Sequence, residues 1–353
     1  MTKPEIPDFV VELAGRVESE LAALIDREES RWKAVDESLA RPFEELRSLV
    51  LGGGKRLRPA FCFLGARAVG GGDTVDIVRA GAALEMLHAM ALFHDDVIDA
   101  STTRRGRETT HVRQARLHRD GGWAGDPVRF GQGVAILVGD LAHGYADELM
   151  AAMPSSARDV WTRMRAEVNI GQYLDVVGSA SRDFTIETAH RVALLKTAKY
   201  TVERPLHIGA LIAEPTTHPS VLGALSNFGI PLGIAFQMRD DVLGVFGDPS
   251  VTGKPAGDDL RESKPTALVA SALVAATADQ AKILARVGDP SLDGRTVEAI
   301  RSVLVETGAL ATTESRIREL TNEALGAIEQ LGVADDVKSQ FVELAHAVAR
   351  RSA

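Results

Sequence analysis

Apolar residues recur at helical spacing along almost the whole chain, while the alternation typical of half-buried strands is nearly absent. The pattern therefore predicts an all-α fold. The expected helices lie near residues 8–28, 35–50, 58–69, 74–99, 131–151, 156–177, 185–212, 219–247, 265–283, 291–307, 310–330 and 334–351. No repeat, low-complexity tract or Ser/Gly-rich linker divides the chain, so we expect one large helical bundle domain over residues 1–353.

Two segments lack this periodicity. Residues 100–130 are predicted to form a long polar loop rich in Arg and Gly, and residues 248–264 are predicted to form a second loop. Long loops in a compact domain are usually functional or disordered. Each follows closely on an aspartate pair, so we interpret both as functional loops that could close over a site.

Composition narrows the classes of protein that fit. The chain is 45% hydrophobic and 25% charged, which suits a sizeable core in a soluble protein. A formal net charge of −9 argues against nucleic acid as a partner. The lone Cys62 excludes an intrachain disulfide and reads as a small buried residue. No signal peptide or uninterrupted apolar run of about 18 residues is evident, so we expect no stable membrane insertion and a cytoplasmic location.

An apolar stretch ends in acids at Asp95, Asp96 and Asp99. At about 100° per residue, a helix places four residues within roughly 60° of one another, namely Leu84, His88, Asp95 and Asp99. Carboxylates this close repel each other, and a divalent cation removes that penalty. The acids also lie near a helix C-terminus, where the dipole disfavours negative charge. The segment therefore predicts a Mg²⁺ site, because Mg²⁺ prefers a few carboxylates plus substrate phosphate oxygens.

Adjacent aspartates alone are a weak signal, since the chain has four such pairs, at 95–96, 240–241, 258–259 and 335–336. The last pair precedes an apolar-periodic stretch and is typical of helix N-terminal capping. The pairs at 95 and 240 differ, because each ends a strongly apolar helix, where capping cannot explain them. We therefore place the pairs at 258–259 and 335–336 outside the primary metal site.

The second aspartate helix has a polar residue on the same face. Gln237 precedes Asp240 by three residues and Asp241 by four, so the three side chains share one side of a helix. Two helices that each offer carboxylates could hold one Mg²⁺–diphosphate from both sides.

Basic residues accompany both acidic helix ends. The run Gly52–Pro59 carries three cations after a glycine hinge, but it lacks the Walker spacing of a nucleotide-binding loop. Arg58 can bind phosphate bidentately, and Lys55 can act as a point charge. Further candidates are Arg104, Arg105, Lys196, Lys254 and Lys264.

Taken together, these motifs make the sequence resemble the trans (head-to-tail) isoprenyl diphosphate synthases. The resemblance covers about residues 50 to 270, in order. It rests on Gly53-Gly54-Lys55-Arg56-Leu57-Arg58-Pro59, His88, Asp95-Asp96-x-x-Asp99, Arg104-Arg105-Gly106, Gly139-Asp140, Gly171-Gln172, Lys196-Thr197, Phe236-Gln237-x-x-Asp240-Asp241, Gly253-Lys254 and Lys264.

The resemblance implies a helical bundle around a deep central cavity, usually as a homodimer, with two or three Mg²⁺ ions. It implies that isopentenyl diphosphate is held by Lys55, Arg58, His88 and Arg105. It implies that Mg²⁺ on the allylic diphosphate is held by Asp95, Asp96, Asp99, Asp240 and Asp241. It implies that the allylic substrate is also contacted by Arg104, Lys196, Thr197, Gln237, Lys254 and Lys264. The residues expected to promote the reaction itself are Asp95, Asp96, Asp99, Arg104, Lys196 and Asp240.

Three positions qualify this assignment. A lone histidine on an apolar helix face is usually a satisfied core residue, but the stripe that His88 shares with Asp95 favours contact with a ligand. The family's second motif often ends in a third aspartate, where this chain has Gly244, and Asp248 lies one turn later. Glu108 stands where the family often has proline.

The implied reaction is condensation of isopentenyl diphosphate with dimethylallyl, geranyl or farnesyl diphosphate to an all-trans prenyl diphosphate. The product tail should grow along the helix of Asp95 toward its N-terminus, past a pocket formed by Met90, Ala91, Leu87 and Leu84. In the family an aromatic residue four or five positions before this motif closes the pocket early, and here there is none. A product longer than C15 is therefore favoured, with geranylgeranyl diphosphate (C20) first, and C15 and longer chains remain open.

Two other functions stay in consideration. A class I terpene cyclase also ionises a diphosphate with Mg²⁺, but it has no need of the basic set that includes Lys55, Arg58 and Arg105. A non-catalytic subunit of a heteromeric synthase typically loses aspartates, whereas the first motif of this chain is whole.

Overall fold

The computed structural model describes residues 6–247, 257–289 and 291–349. Helices dominate these ranges, which confirms the all-α prediction. The α-helices are α1 (Asp8–Lys33), α2 (Ala40–Val50), α3 (Leu57–Arg67), α4 (Val75–Ile98), α5 (Thr110–Asp120), α6 (Pro127–Met150), α7 (Ser155–Ser181), α8 (Ile186–Val192), α9 (Arg204–Ala213), α10 (Pro219–Phe246), α11 (Asp258–Arg261), α12 (Ala267–Ala275), α13 (Ala278–Leu284), α14 (Gly294–Glu306), α15 (Ala309–Ile328) and α16 (Asp335–Ala349). Short 3₁₀ turns lie at Glu37–Leu39 and Glu329–Leu331.

Helix α4 is the central helix of the bundle. It is apolar on all sides and buried along most of its length, as expected of a helix enclosed by others. It packs against α6, α3 and α1. Thr74 caps its N-terminus by accepting a hydrogen bond from the Ile77 amide at 3.4 Å. The first aspartate cluster is therefore at the C-terminal end of a helix whose position is fixed by the core.

Helices α3 and α9 approach each other backbone to backbone. A Cβ at Gly65 would lie 1.9 Å from the carbonyl oxygen of Leu206, and one at Gly209 would lie 1.7 Å from that of Cys62. Only glycine permits this distance. Cys62 is buried between these helices, as predicted, and burial raises its pKa to about 12, so the thiol stays protonated.

A run of wide helical turns, the π-helix Ala193–Glu203, joins α8 to α9. The single helix predicted near residues 185–212 is therefore continuous but not uniform. Its hydrogen bonds skip one residue more than in an α-helix, as in the bond from the Arg204 amide to the carbonyl of Lys199. Such turns occur frequently at functional sites.

The segment 100–130 is not the open polar connection that its sequence indicated. It contains a two-residue hairpin, with Thr103–Arg104 antiparallel to Arg107–Glu108, followed by α5. The buried face of α5 is largely polar, with Thr110, His111, Gln114 and His118. Glu45 binds this face, accepting hydrogen bonds from Thr110 and Gln114 at 2.7 and 2.8 Å. Hydrophobic periodicity cannot detect a helix that buries polar side chains.

The region after the second aspartate pair also differs from the prediction. The single helix expected near residues 265–283 is two helices, α12 and α13. Thr277 breaks the run because it forms a capping box with Gln280 at the start of α13. Of the loop expected at 248–264, residues 248–256 lie outside the described residues, and Asp258–Arg261 forms the short helix α11.

One described helix, α10, is long and apolar enough to cross a membrane by length and composition. No membrane-spanning helix was predicted from the sequence, because the criterion applied there was an uninterrupted run of apolar residues. In this helix 56% of the most apolar 18-residue window is buried inside the protein, as in a core helix of a soluble protein.

Candidate active site

A cavity of about 550 Å³ opens between α4, α7, the π-helix, α10 and the loop before α3. Cationic and acidic side chains form part of its lining, and the apolar part of the lining includes Met90, Ala91, Leu92, Val168 and Phe236. Such a cavity suits a ligand with a highly charged end and a hydrocarbon end.

The first aspartate cluster is surrounded by cationic and amide donors. Gln172 Nε2 donates to Asp95 Oδ1 at 3.0 Å, and Lys196 Nζ lies 3.5 Å from the same oxygen. Arg104 Nε donates a hydrogen bond to Asp96 Oδ1 at 2.7 Å, and Arg104 Nη2 lies 2.6 Å from the same oxygen. These contacts join the C-terminus of α4 to the hairpin, α7 and the π-helix.

Asp99, the third acid of the first cluster, has a buried Oδ2 that makes no hydrogen bond. Burial and the nearby charge of Asp95 raise its pKa to about 6, although Lys264 acts in the opposite direction. Lys264 Nζ lies 3.4 Å from this oxygen, 2.6 Å from Glu262 and 3.6 Å from Asp259. The lysine thus links the end of α4 to the segment after α11.

The second cluster, on α10, is organised by an amide. Gln237 Nε2 donates to Asp241 Oδ1 at 2.7 Å, and its Oε1 accepts a hydrogen bond from the hydroxyl of Thr197. Burial raises the pKa of Asp241 to about 8, and the charges of Asp259 and Asp240 add to the rise. Asp240, one residue earlier, lines the cavity.

A third group lies where α3 and the π-helix line the cavity. Arg58 donates to Thr201 Oγ1 at 3.0 Å, and its guanidinium lies 4.4 Å from the ring centroid of Tyr200. His88 has a buried Nδ1 without a hydrogen bond, so it is not the satisfied core histidine of the alternative interpretation. Burial and the charge of Arg58 hold the pKa of His88 well below its usual value, so the ring is neutral.

Arg56 fixes the loop that carries Lys55 and Arg58. Its guanidinium donates to Glu85 at 2.6 Å, to Glu18 at 2.8 Å and to the Val50 carbonyl at 2.6 Å. The backbone of Arg56 is left-handed, with φ of 48°, an uncommon conformation that these contacts hold in place. No role of its own was assigned to Arg56 from the sequence, and the structure matches its charge with the buried Glu85 and the partly exposed Glu18.

The structure brings most predicted residues to one place. The cavity is lined by Lys55, Arg58, His88, Met90, Ala91, Asp95, Arg104, Arg105, Lys196, Thr197, Gln237 and Asp240. Bonded to this lining or beside it are Asp96, Asp99, Asp241 and Lys264. Leu84 and Leu87 are fully buried in the core and do not line the cavity. Lys254 lies outside the described residues.

No role was assigned to Gln172 from the sequence, although Gly171-Gln172 is one of its family motifs, and Asp175 was not identified. Gln172 and Asp175 hold Asp95 and Lys196 from α7, with Lys196 Nζ 2.6 Å from Asp175 Oδ2. A signal existed, because Gln172 and Asp175 are three residues apart on one helix face. Gly171 allows this approach, since a Cβ there would lie 2.5 Å from the amide nitrogen of Lys196.

The donor set fits a divalent cation that is shared with a ligand. Within the described ranges, no three His, Cys, Asp or Glu side chains are placed to hold an ion by themselves. Mg²⁺ commonly binds through one or two carboxylates and completes its shell with water and substrate phosphates. The unbonded oxygen of Asp99 and the raised pKa values of Asp99 and Asp241 are features that a cation would relieve.

The family model described as polyprenyl synthetase matches residues 40–304. The chain belongs to this family. It is 31% identical over 306 residues to a geranylfarnesyl diphosphate synthase of Aeropyrum pernix, covering 84% of this chain and 89% of the relative. It is 32% identical over 286 residues to an octaprenyl diphosphate synthase of Escherichia coli, covering 80% and 82%.

Solved structures of the same family also match this polyprenyl diphosphate synthase. The geranylgeranyl pyrophosphate synthase of Corynebacterium glutamicum, complexed with isoprenyl diphosphate and magnesium, superimposes with a TM-score of 0.91 at 36% identity, covering 98% of this chain and 99% of that one. The chain is therefore a trans-prenyltransferase, as its motifs indicated. The names of these relatives specify three different products, so they leave its product length open.

Proposed function

We propose that this enzyme extends an allylic diphosphate with isopentenyl diphosphate and releases geranylgeranyl diphosphate. The observation that carries the proposal is the lining of the cavity, which combines charged groups with small or flexible apolar residues, Ala91 and Met90. The family membership supports the reaction class, and the apolar wall supports a product longer than C15.

We assign the α3 side of the mouth to isopentenyl diphosphate. Lys55, Arg58 and Arg105 line the cavity there and supply positive charge. Arg58 is already oriented by Thr201 and Tyr200, so it loses little side-chain freedom on binding a diphosphate. A neutral His88 acts as a hydrogen-bond donor or acceptor rather than as a fourth cation.

We assign the opposite side to the allylic diphosphate and two or three Mg²⁺ ions, which Asp95, Asp96, Asp99, Asp240 and Asp241 would hold. When bound, Mg²⁺ neutralises the charge that develops on the departing diphosphate. Arg104, Lys196, Thr197, Gln237 and Lys264 are positioned to donate to the remaining diphosphate oxygens, and the same role remains a prediction for Lys254.

In the proposed reaction the bond between C1 and oxygen of the allylic diphosphate breaks, and its electrons leave with diphosphate. The double bond of isopentenyl diphosphate then supplies the electrons of the new C–C bond. A proton is lost from C2 of the former isopentenyl unit to the departing diphosphate, so no side-chain base is needed. The protein contributes by positioning both substrates and excluding water from the cation.

We also propose a homodimer in the cytoplasm. Helices α6 and α7 present exposed large apolar side chains, among them Leu137, 64% exposed, and Tyr173, 68% exposed. Ile170, Tyr173 and Val177 are spaced three and four residues apart and share one face of α7. A second copy is the occupant that the family resemblance favours for this face, and the molecular mass in solution tests it.

The test uses the purified chain alone with Mg²⁺, radiolabelled isopentenyl diphosphate and dimethylallyl, geranyl or farnesyl diphosphate. We expect consumption of the label and a C20 product. Ionisation of an allylic substrate without consumption of isopentenyl diphosphate would instead favour a terpene cyclase. No turnover without a second protein would favour a subunit of a heteromeric synthase.

Product length is tested at Ala91, which lines the cavity. The graded series Ala91→Val, Ala91→Leu and Ala91→Phe should shorten the product stepwise, because each larger side chain fills more of the space for the tail. Leu87→Met is the matched control, because Leu87 is buried outside the cavity and the substitution conserves volume. An unchanged product spectrum across the Ala91 series contradicts the assignment of this wall.

A further inference from the structure

One carboxylate behind the cavity binds both ends of a wide helical turn. Glu167, on α7, accepts hydrogen bonds from Lys199 Nζ at 2.7 Å and from Arg204 Nε and Nη2 at 2.8 and 2.7 Å. The backbone amide of Arg204 donates to the carbonyl of Lys199, so the two cations are also the ends of one π-helical hydrogen bond. The side chain of Glu167 is 15% exposed, and none of these three residues lines the cavity.

This convergence matches wide turns better than ordinary ones. At about 100° per residue, residues five apart in an α-helix point about 140° away from each other. In π-helical turns the hydrogen-bonded residues are five apart, so their side chains lie on one side of the helix, as residues four apart do in an α-helix. The contacts of Glu167 with Lys199 and Arg204 therefore favour the wide turns over α-helical ones.

The charges of this cluster depend on one another. Burial acts to raise the pKa of Glu167, but the hydrogen bonds from Arg204 and Lys199 outweigh it and hold the pKa below its usual value. Glu167 is therefore ionised at neutral pH. Removal of one member of a largely buried ionic cluster leaves the other charges without compensation, which is strongly unfavourable. The cluster thus opposes a rearrangement that separates Lys199 from Arg204.

The turn that Glu167 binds separates two pairs of cavity residues. Lys196 and Thr197 precede the turn, Tyr200 and Thr201 lie inside it, and all four line the cavity. Thr201 also accepts the hydrogen bond that orients Arg58. Wide and ordinary turns rotate by different amounts per residue, so a change of turn would alter the angle between the two pairs.

We propose that Glu167 is a positioning residue for prenyl transfer, because it holds the wide turns that present both pairs of side chains to the cavity. It acts through Lys199 and Arg204 and touches no substrate. The inference relies on the reaction class that the family membership shows. It uses the proposed function only in expecting one pair to serve the allylic diphosphate and the other pair to serve isopentenyl diphosphate.

The first experiment compares the wild type with Glu167→Gln, which removes the charge at nearly constant volume. We expect kcat/KM for isopentenyl diphosphate and kcat/KM for the allylic diphosphate to fall together by about tenfold or more, because small misplacements of positioning groups are costly. Glu187→Gln is the matched control, since it removes an exposed carboxylate that pairs with Arg191 on the neighbouring α8. It should leave both constants unchanged.

Hydrogen exchange measured by mass spectrometry reports on the turns without turnover. In Glu167→Gln, the amides of Ala193–Glu203 should exchange at least about tenfold faster, while those of α4 keep their wild-type rates, because the loss is local. A purely structural role would instead lower Tm and speed exchange in both segments.

Lys199→Met tests whether the carboxylate and the cation act as one unit. Because Lys199 donates to Glu167, the double variant Glu167→Gln/Lys199→Met should lose little more activity than Glu167→Gln alone, whereas independent effects would multiply. Arg204 is less suited to this cycle, because its Nη1 also lies 3.4 Å from His207 Nδ1. If Glu167→Gln does not fold, Lys199→Met alone should show the same pattern of kinetics and exchange at smaller size.

The outcomes separate this inference from the proposed function. Kinetic constants that Glu167→Gln leaves unchanged overturn the positioning role, even if Tm falls. Equal acceleration of exchange in α4 and in the π-helix also overturns it, as do fully multiplicative effects in the double variant. A wild-type chain that consumes no isopentenyl diphosphate overturns the proposed function, and hydrogen exchange then still decides whether Glu167 holds the wide turns.

Discussion

The two aspartate clusters are held by different kinds of partner. At the end of α4, Asp95 and Asp96 face the cations Arg104 and Lys196. On α10, Asp241 receives a hydrogen bond from the neutral amide of Gln237 and feels the negative charge of Asp259. Asp95 and Asp96 are thus balanced by cations of the protein itself, whereas the second cluster contains a carboxyl group, that of Asp241, which burial keeps protonated at neutral pH.

This difference bears on how each cluster would accept a metal ion. An ion entering the first cluster must replace or rearrange existing ion pairs, and those cations then become available to the diphosphate. An ion entering the second must displace a proton from Asp241, because a protonated carboxyl is a poor ligand. Metal binding at the second cluster should therefore depend more strongly on pH.

The largest expected effect is from Asp95→Ala. Asp95 lines the cavity and contacts both Lys196 and Gln172, so its loss removes a proposed metal ligand and unbalances its neighbours. We expect kcat to fall by at least about 10³-fold, corresponding to several kcal/mol of transition-state stabilisation. Asp76→Ala, exposed in the first turn of the same helix, should keep turnover near normal. Comparable turnover of Asp95→Ala and wild type in a labelled-substrate assay would remove Asp95 from the mechanism.

An intermediate effect is expected from Asp241→Asn. The pKa of Asp241 is raised to about 8, so it gains a proton as the pH falls through that value and ceases to be a ligand. Wild-type affinity for Mg²⁺ with inorganic diphosphate should fall by up to about tenfold per pH unit between pH 8 and 6, beyond the fall seen in the variant. The titration of diphosphate is common to both proteins and cancels in this difference. Parallel pH profiles would show that Asp241 does not exchange a proton for the metal.

The smallest effect is expected from Gln172→Ala, which removes one hydrogen bond to Asp95. A single bond of this kind contributes about 1 kcal/mol, so KM for the allylic substrate should rise roughly fivefold with little change in kcat. Gln172→Glu is the more discriminating variant, because it places a like charge beside Asp95. It should raise KM for the allylic substrate more than Gln172→Ala does. If alanine and glutamate behave alike, the amide does not orient Asp95.

The sequence predicted helices correctly where their buried side chains are apolar. Helix α4 was predicted from its apolar residues. Its terminal acids were noticed because charged residues interrupt that apolar pattern. Helix α5 was missed, since its buried face pairs polar side chains with Glu45. The split between α12 and α13 was missed for a different reason, because the capping box at Thr277 is a local signal inside an apolar run.

Site residues that belong to a recognisable sequence motif could be predicted. Site residues that only the fold brings together could not. Lys196 and Gln237 were expected and line the cavity. The partners of Arg56 could not be predicted, because Glu18 and Glu85 lie 38 and 29 residues away in the sequence. The proximity of Asp259 to Gly244 could not be predicted, since it depends on how α11 packs against α10.

The wide turns of Ala193–Glu203 restrict how this enzyme can change over evolutionary time. Lys196, Thr197, Tyr200 and Thr201 all line the cavity from this segment. Loss of one residue here would rotate the chain beyond it by about 100° relative to the cavity. That rotation would move Tyr200 and Thr201 off the cavity and displace Gly209 from its contact with Cys62. Insertions and deletions here should therefore be far rarer among functional descendants than substitutions.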